Sequence, residues 1–286
     1  MKSRIVPYVW SASVMVLALA LSLFVAQHLR PSFEAGEVPY QSSPLWWVLV
    51  YFFVAIVVIT VILIIIPFRF LKYVFRVIFA VMFAWGILVI SFNLPDIAGY
   101  VLAAIAGIAW FFFARIWLHD LLLLIALAAA AAVFGYLINP LTFIIFMLVI
   151  AVYDILAVRF GFMVWMADRL SGTASLPAFI FPRKAGDMAL NLKTVQVGEL
   201  KKEAADKREH TILGGGDIGF PLMLANSVYF AYNIWSAVLV GAFAIVGLMG
   251  AFIIQRIWLK GKPMPALPPI AIASLIGFLI ASNYLK

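Results

Sequence analysis

The chain has 286 residues, of which 66% are hydrophobic and 11% are charged, and this composition excludes an ordinary soluble domain. It has no cysteine, which excludes disulfides, a thiolate nucleophile and cysteine-ligated metals. The net charge of +8 could indicate nucleic-acid binding, but in a membrane protein a basic excess marks cytosolic loops. We therefore expect an integral, multi-pass membrane protein that contacts the lipid bilayer and binds no nucleic acid.

The apolar residues are gathered into blocks long enough to cross about 30 Å of hydrocarbon as helices. They predict an all-α polytopic membrane protein, with residues 1–286 forming one membrane domain of nine transmembrane helices. These helices are expected at about 8–28, 45–67, 73–94, 98–115, 121–138, 141–165, 211–232, 234–255 and 265–284. Residues 1–28 could also be a signal peptide, but their apolar run is long and no cleavage site stands out, so a retained helix is favoured.

The distribution of basic residues predicts the orientation of the bundle. With a cytosolic N-terminus, 18 of the 20 Lys and Arg residues fall on the cytosolic side, and only Arg30 and Lys286 fall outside. Because cytosolic loops are enriched in these residues, the N-terminus is expected in the cytosol and the C-terminus outside. The long charged segment 166–210 is then predicted to be a solvated, partly flexible cytosolic loop between helices six and seven.

Two of the 12 acidic residues are predicted to lie inside membrane helices, Asp154 in helix six and Asp217 in helix seven. At 1.5 Å per residue, Asp154 lies about 10 Å and Asp217 about 9 Å from the cytosolic boundary. The other ten are expected in loops or at helix ends: Glu34, Glu37, Asp96, Asp120, Asp168, Asp187, Glu199, Glu203, Asp206 and Glu209. An ionisable residue within a membrane helix indicates a functional site, and here each carboxylate is the natural partner of the other.

Such a pair has a recognisable chemistry. Two adjacent carboxyl groups cannot both ionise cheaply, so the pair is expected to hold one proton. The ionised member could activate a water while the protonated member polarises an amide carbonyl, as in an aspartic protease. The residues alone leave three interpretations open: a protease, a transporter or channel that relays protons or cations through the pair, and a structural pair.

Three short motifs accompany the two carboxylates. Their residues are Tyr153 before Asp154, then Gly214, Gly215 and Gly216 before Asp217, then Pro265, Ala266 and Leu267 before the last helix. Glycines permit close backbone approach and a bent helix start, which would admit water and an extended peptide. Each motif is weakly specific alone, but their order, depth and topology together are specific.

In that order the motifs resemble those of the GxGD intramembrane aspartyl proteases, the family of presenilin and signal peptide peptidase. The resemblance covers the whole nine-helix layout. It implies that Asp154 and Asp217 are catalytic and that the turn at 265–267 lines the site. The predicted orientation is similar to the presenilin branch, which implies single-span substrates with their N-termini outside. The short loops are similar to those of a microbial homologue, for example an archaeal one, in the plasma membrane.

Other classes of protein are disfavoured by the sequence. His28, His119 and His210 are far apart in the predicted topology and there is no HExxH motif, so neither a metal nor another cofactor is expected. A prepilin-peptidase-like enzyme also carries GxGD, but the turn at 265–267 and the nine-helix layout argue against it. A transporter is opposed by the lack of an internal repeat. No partner subunit is evident, and a homo-oligomer stays open.

The segment LKTVQVGEL, residues 192–200, is a candidate for substrate binding. A substrate helix must unwind before water can attack its amides, and an exposed extended backbone can then pair with a strand. The Val and Thr content of this segment permits a strand, although a plain loop explains it equally well.

Overall fold

Long apolar segments of this chain form helices because a backbone in lipid must pair its polar groups internally. The structure, a computed structural model, describes residues 6–36, 40, 43–92, 94–162, 165–166, 175–194, 210–257 and 264–285. Nine helices of 17 residues or more lie within these ranges: α1 (Val6–Ala35), α2 (Leu45–Ile65), α3 (Phe68–Ile90), α4 (Asp96–Phe112), α5 (Ile116–Leu137), α6 (Pro140–Arg159), α7 (Gly215–Ala231), α8 (Ile234–Ile257) and α9 (Leu267–Tyr284). The prediction of an all-helical membrane protein is confirmed.

Seven of these helices are long and apolar enough to cross a membrane. The other two, α4 and α7, have 17 residues each. Helix α4 is apolar but short, whereas α7 begins with two glycines and Asp217 and contains Pro221. The number of membrane crossings therefore depends on how these two helices sit in the bilayer.

Helix α5 lies at the centre of the bundle, where it packs against α1, α3 and α7. Of its most apolar 18 residues, 56% are buried, compared with 6% for the equivalent stretch of α2. The buried side chains in the middle of α5 are mostly small, namely Ala126, Ala128, Ala129, Ala131 and Ala132. Small side chains allow neighbouring backbones to approach closely, which is how helices pack in lipid.

The last three helices complete the arrangement around α6. Helices α8 and α9 pack against each other along their lengths, and α9 also contacts α6 and α7. Helix α6 contacts α7 and, more loosely, α2. The start of α9 is thereby placed beside both helices that carry the predicted catalytic carboxylates.

Helix α6 has well-defined ends. The Asn139 side chain accepts a hydrogen bond from the Thr142 N–H at 2.8 Å, and Pro140 occupies the first turn, where no N–H is needed. The helix ends at Arg159, and Gly161 follows with φ of +74°, a left-handed conformation that glycine adopts easily. The prediction that this helix continues to residue 165 is therefore wrong.

A two-stranded antiparallel sheet, which the sequence analysis did not predict, precedes α7. Strand β1 (Ala178–Pro182) pairs with β2 (His210–Gly214), with Ala178 opposite Gly214. All five residues of β1 are buried, so the prediction of a solvated loop is wrong for this part of 166–210. Apolar side chains in AFIFP pack into the bundle, and their backbone is paired there as burial requires.

The strands also change the predicted start of helix seven. Residues 211–214 belong to β2, so the helix begins at Gly215 and not at 211. The candidate strand at 192–200 is not a strand in its described part, because Leu192–Thr194 forms a 3-10 turn, and residues 195–200 lie outside the described ranges. Residues 167–174 and 201–209 of the predicted loop also lie outside them.

Helix α5 begins five residues earlier than predicted, at Ile116. Asp120, expected at a helix end, is therefore inside the helix and only 8% exposed. The apolar residues Ile116, Trp117 and Leu118 precede it and extend the helix at its N-terminal end. The ends of membrane helices are poorly located by hydropathy, because polar residues are tolerated wherever the folded chain supplies them with partners.

Candidate active site

Asp154 lies on α6 within the bundle and is only 5% exposed. Its Oδ2 accepts a hydrogen bond from the backbone N–H of Leu267, the first residue of α9, at 3.4 Å. The first N–H groups of a helix have no partner within the helix, so a carboxylate can accept from them. One end of the predicted active site is thus built from α6 and the start of α9.

Asp217 is the third residue of α7 and is partly buried. Its carboxylate accepts a hydrogen bond from the backbone N–H of Gly214, the last residue of β2. A Cβ on Gly214 would lie 3.0 Å from Asp217 Oδ2, so the absence of a side chain there allows the carboxylate to fold back onto the strand end. Glycine at this position therefore sets where the Asp217 carboxylate lies.

Helices α6 and α7, which carry Asp154 and Asp217, pack against each other. An electrostatic interaction links the two carboxyl groups. The depth argument predicts that these two groups form a catalytic pair. Two such groups can hold a single proton between them and so present one general acid and one general base.

Gly215 and Gly216, the other two glycines of the GxGD motif, permit close contacts with Pro177 and Phe220. The Gly215 N–H donates to the Pro177 carbonyl at 2.9 Å, and a Cβ there would lie 3.1 Å from the same oxygen. A Cβ on Gly216, which is exposed, would lie 3.0 Å from the Phe220 ring. Gly215 thus ties the start of α7 to the segment just before β1.

Tyr153, the neighbour of Asp154, is covered by α2. Its ring lies edge-on to Phe52 and Phe53, with centroid distances of 6.4 and 6.1 Å. Phe52 also contacts Phe146 and Phe220, which lie on α6 and α7. Helix α2 is otherwise largely exposed, so these aromatic contacts hold it against the two helices of the site.

The turn at 265–267 lies directly at the site. Pro265 and Ala266 are partly buried, and Leu267 is 2% exposed. Leu267 is the first residue of α9, so its N–H has no acceptor within the helix and is available to Asp154, while Pro268 and Pro269 have no N–H that needs a partner. The structure thus brings all the predicted site residues to one region, while their catalytic roles stay predictions.

Two buried polar residues near the site were missed by the sequence analysis. His119 is fully buried, and its Nε2 donates to the Ala178 carbonyl at 3.2 Å. Asp120 accepts from the Ile180 N–H, with N···Oδ1 of 3.1 Å. The signal for them was present in the run IWLHDLLLL, in which a His–Asp pair interrupts apolar residues on both sides.

The described residues contain no group of three or more His, Asp or Glu side chains arranged to hold a metal. His119 reaches only the start of β1, whereas His210 lies at its far end, opposite Pro182.

Comparisons with known proteins place this site in context. The profile of the family described as signal-peptide peptidase, presenilin aspartyl protease, matches residues 10–285. No curated protein matches the sequence. Two solved structures share the fold, both titled as a presenilin family intramembrane aspartate protease. The one in space group C222 has a TM-score of 0.59 at 16% identity and covers 96% of each chain. The one in P2 has a TM-score of 0.62 at 17% identity and covers 95% of each.

The two kinds of similarity support different statements. At 16% and 17% identity the solved structures establish the shared fold. The family profile spans nearly the whole chain and includes all three motifs. The chain therefore belongs to the signal-peptide peptidase and presenilin family, and it is an intramembrane aspartyl protease.

Proposed function

We propose that this protease hydrolyses peptide bonds within the transmembrane helices of single-span proteins whose N-termini lie outside. The observation that supports the proposal is the electrostatic interaction of Asp154 with Asp217 on two packed helices, with Asp154 bound to the start of α9. Both carboxylates are anchored by backbone N–H groups, from Leu267 and Gly214, so their positions are held before a substrate arrives. Preorganised catalytic groups need little rearrangement during the reaction.

The reaction follows from the shared proton. The ionised carboxylate removes a proton from a water, whose oxygen then bonds to the carbonyl carbon of the scissile amide. The protonated carboxyl group delivers its proton to the carbonyl oxygen, which gives a tetrahedral diol. Collapse of this intermediate transfers a proton to the amide nitrogen, breaks the C–N bond and returns one proton to the Asp154–Asp217 pair.

The orientation of the substrate follows from the topology that we propose. Nine crossings with a cytosolic N-terminus place 18 of the 20 basic residues in the cytosol, as the positive-inside rule favours. In this arrangement α7 runs from the cytosol outward, and the active site lies nearer the cytosolic side. The short loops support a microbial plasma membrane as the location.

The sheet offers an unwound substrate a place to bind. Successive strand residues direct their backbone groups to opposite edges. Because Pro177 O accepts from Gly215 N–H, residues 179 and 181 face β2, and residues 178 and 180 face away. On β2 the groups of Ile212, opposite Ile180, therefore point away from β1. An extended substrate segment that pairs with Ile212 would lie two residues from Gly214 and thus close to Asp217.

The deciding experiment uses purified protein and a single-span reporter with its N-terminus outside. Cleavage by the wild type is compared with Asp154→Ala and Asp217→Ala, each of which removes one member of the acid–base pair. We expect each substitution to lower the rate below detection, because neither remaining carboxylate can act as both acid and base at once.

Asp96→Ala provides a matched control. Asp96 also lies in the first turn of a helix, α4, but it is exposed and is expected to leave the rate unchanged. If the wild type releases no fragment, or if either active-site variant cleaves at the wild-type rate, the proposed function is wrong.

A further inference from the structure

The outer edge of β1, opposite β2, is closed by side chains of α5. Ala178 directs its carbonyl away from β2, and His119 Nε2 donates to it at 3.2 Å. Ile180 directs its N–H the same way, and Asp120 accepts it with N···O distances of 3.1 and 3.4 Å. Two consecutive side chains of α5 thus replace the hydrogen bonds that a third strand would supply.

The rest of this edge carries few free groups. The Ala178 N–H donates to the Leu176 carbonyl at 2.8 Å, and Pro182 has no N–H. A further strand can therefore pair with the outer edge of β2, but it cannot pair with β1 at Ala178 and Ile180. The closure also fixes β1 along the axis of α5, because the two side chains contact backbone groups two residues apart.

His119 is itself held in a fixed orientation. Its ring is surrounded by aromatic rings on α3 and α4, with centroid distances of 6.0 Å to Phe79, 5.6 Å to Phe83 and 6.0 Å to Trp110. His119, Phe83 and Trp110 are fully buried. Because the packed ring of His119 cannot rotate, its Nε2–H points in one direction and determines where the Ala178 carbonyl lies.

The position of β1 reaches the active site through two contacts. Ala178 pairs with Gly214, whose N–H binds the Asp217 carboxylate. The preceding residue, Pro177, accepts the Gly215 N–H at 2.9 Å. A displacement of β1 relative to α5 would therefore move the start of α7 and the carboxylate that it carries.

We propose that His119 and Asp120 are positioning residues, which hold β1 against α5 so that the Asp217 carboxylate is placed correctly relative to Asp154. The proposal rests on the catalytic role proposed for Asp217. In this role Asp120 acts as a hydrogen-bond acceptor and His119 as a donor, and neither contacts the substrate. Catalysis is sensitive to such placement, since an error of about 1 Å can lower a rate about a hundredfold.

The test compares three variants in the same reporter assay, with kcat measured at saturating substrate. Asp120→Ala removes the acceptor, and His119→Phe removes the donor while preserving an aromatic ring among Phe79, Phe83 and Trp110. Each is expected to lower kcat about tenfold or more, the equivalent of one misplaced or unpaired buried group. Asp120→Asn keeps an oxygen that can accept the Ile180 N–H, so its kcat should stay within about threefold of the wild type.

Thermal midpoints separate positioning from stability. Leu123→Ala, on the same helix and buried, should lower the midpoint and leave kcat of the folded protein unchanged. If Asp120→Ala does not fold, the kcat values of His119→Phe and Asp120→Asn test the proposal. Three results would each overturn the proposal. The first is a wild-type kcat in a folded His119→Phe or Asp120→Ala protein, and the second is a change in KM with kcat unaffected. The third is a kcat of Asp120→Asn as low as that of Asp120→Ala.

Asp217→Ala is assayed in parallel to keep the two proposals distinct. If Asp217→Ala cleaves normally, the proposed function fails. If it is inactive while the His119 and Asp120 variants keep wild-type kcat, only the positioning role is refuted.

Discussion

Gly135 lets α5 lie directly against the backbone of α7. A Cβ at this position would lie 2.6 Å from the Asn226 Cβ and 2.8 Å from its carbonyl carbon. Backbone atoms cannot move aside as the end of a flexible side chain can. The contact matters for the site because α7 carries Asp217 and α5 carries the residues that hold β1.

Gly135→Ala is therefore expected to destabilise the protein by about 1–3 kcal/mol, as overpacking of a tight contact does. The thermal midpoint in detergent should fall, and cleavage should fall with it as α7 shifts. Gly250→Ala on α8 is the matched control, because no atom lies within 4 Å of a Cβ there and alanine favours the helix by about 1 kcal/mol. Equal midpoints for the two variants would refute the close contact.

At the scale of the elements, the two edges of the sheet differ. The edge of β1 is occupied by His119 and Asp120, whereas Ile212 on β2 directs its N–H and carbonyl away from β1. Sheet edges with unpaired backbone groups are where an extended peptide adds. Among the residues that the structure describes, no hydrogen bond occupies these groups of Ile212, so this edge is available to a substrate next to the predicted catalytic Asp217.

Ile212→Pro should remove a backbone donor from the open edge while leaving the pairing of β1 with β2 intact. We expect cleavage to fall about tenfold because the substrate loses a main-chain hydrogen bond, with little change in the thermal midpoint. Ile212→Val, which keeps the N–H, should cleave normally. Leu213→Pro removes a donor within the ladder and should lower the midpoint instead. Normal cleavage by Ile212→Pro would refute binding at this edge.

At the scale of the whole molecule, the topology depends on α4 and α7, the two helices of 17 residues. If both cross the bilayer, the segment 166–210 lies in the cytosol. If neither crosses, the segment lies outside, although the N- and C-termini keep the same sides. The position of this segment therefore distinguishes nine crossings from seven.

A reporter that is active only in the cytosol, inserted at Gly186, should be active in intact cells. Gly186 is exposed, and a Cβ there meets no atom within 4 Å, so an insertion is tolerated sterically. The expectation follows from the positive-inside rule, since the segment 166–210 carries eight of the basic residues. Fusions at both termini report orientation and serve as controls. A reporter at Gly186 that is active only outside would refute nine crossings.

Much of this architecture follows from local sequence. Hydropathy depends on composition within about 20 residues, so it locates helices such as α8 and α9 to within a few residues. The predicted pairing of Asp154 with Asp217 follows from chain order, because consecutive antiparallel helices bring equal depths together. The motif residues around Gly214 and Leu267 follow from the family resemblance, which the profile match confirms at the level of the family.

The sequence by itself thus determined the membrane class, the helical bundle and the two candidate carboxylates. Only the tertiary structure decided the sheet, the burial of Asp120 and the contact of the Leu267 N–H with Asp154. The physical reason is the range of the interactions: Asp120 binds a residue 60 positions away, and Asp154 binds one 113 positions away. A short buried strand such as β1 is stabilised by partners like these and not by its own five residues.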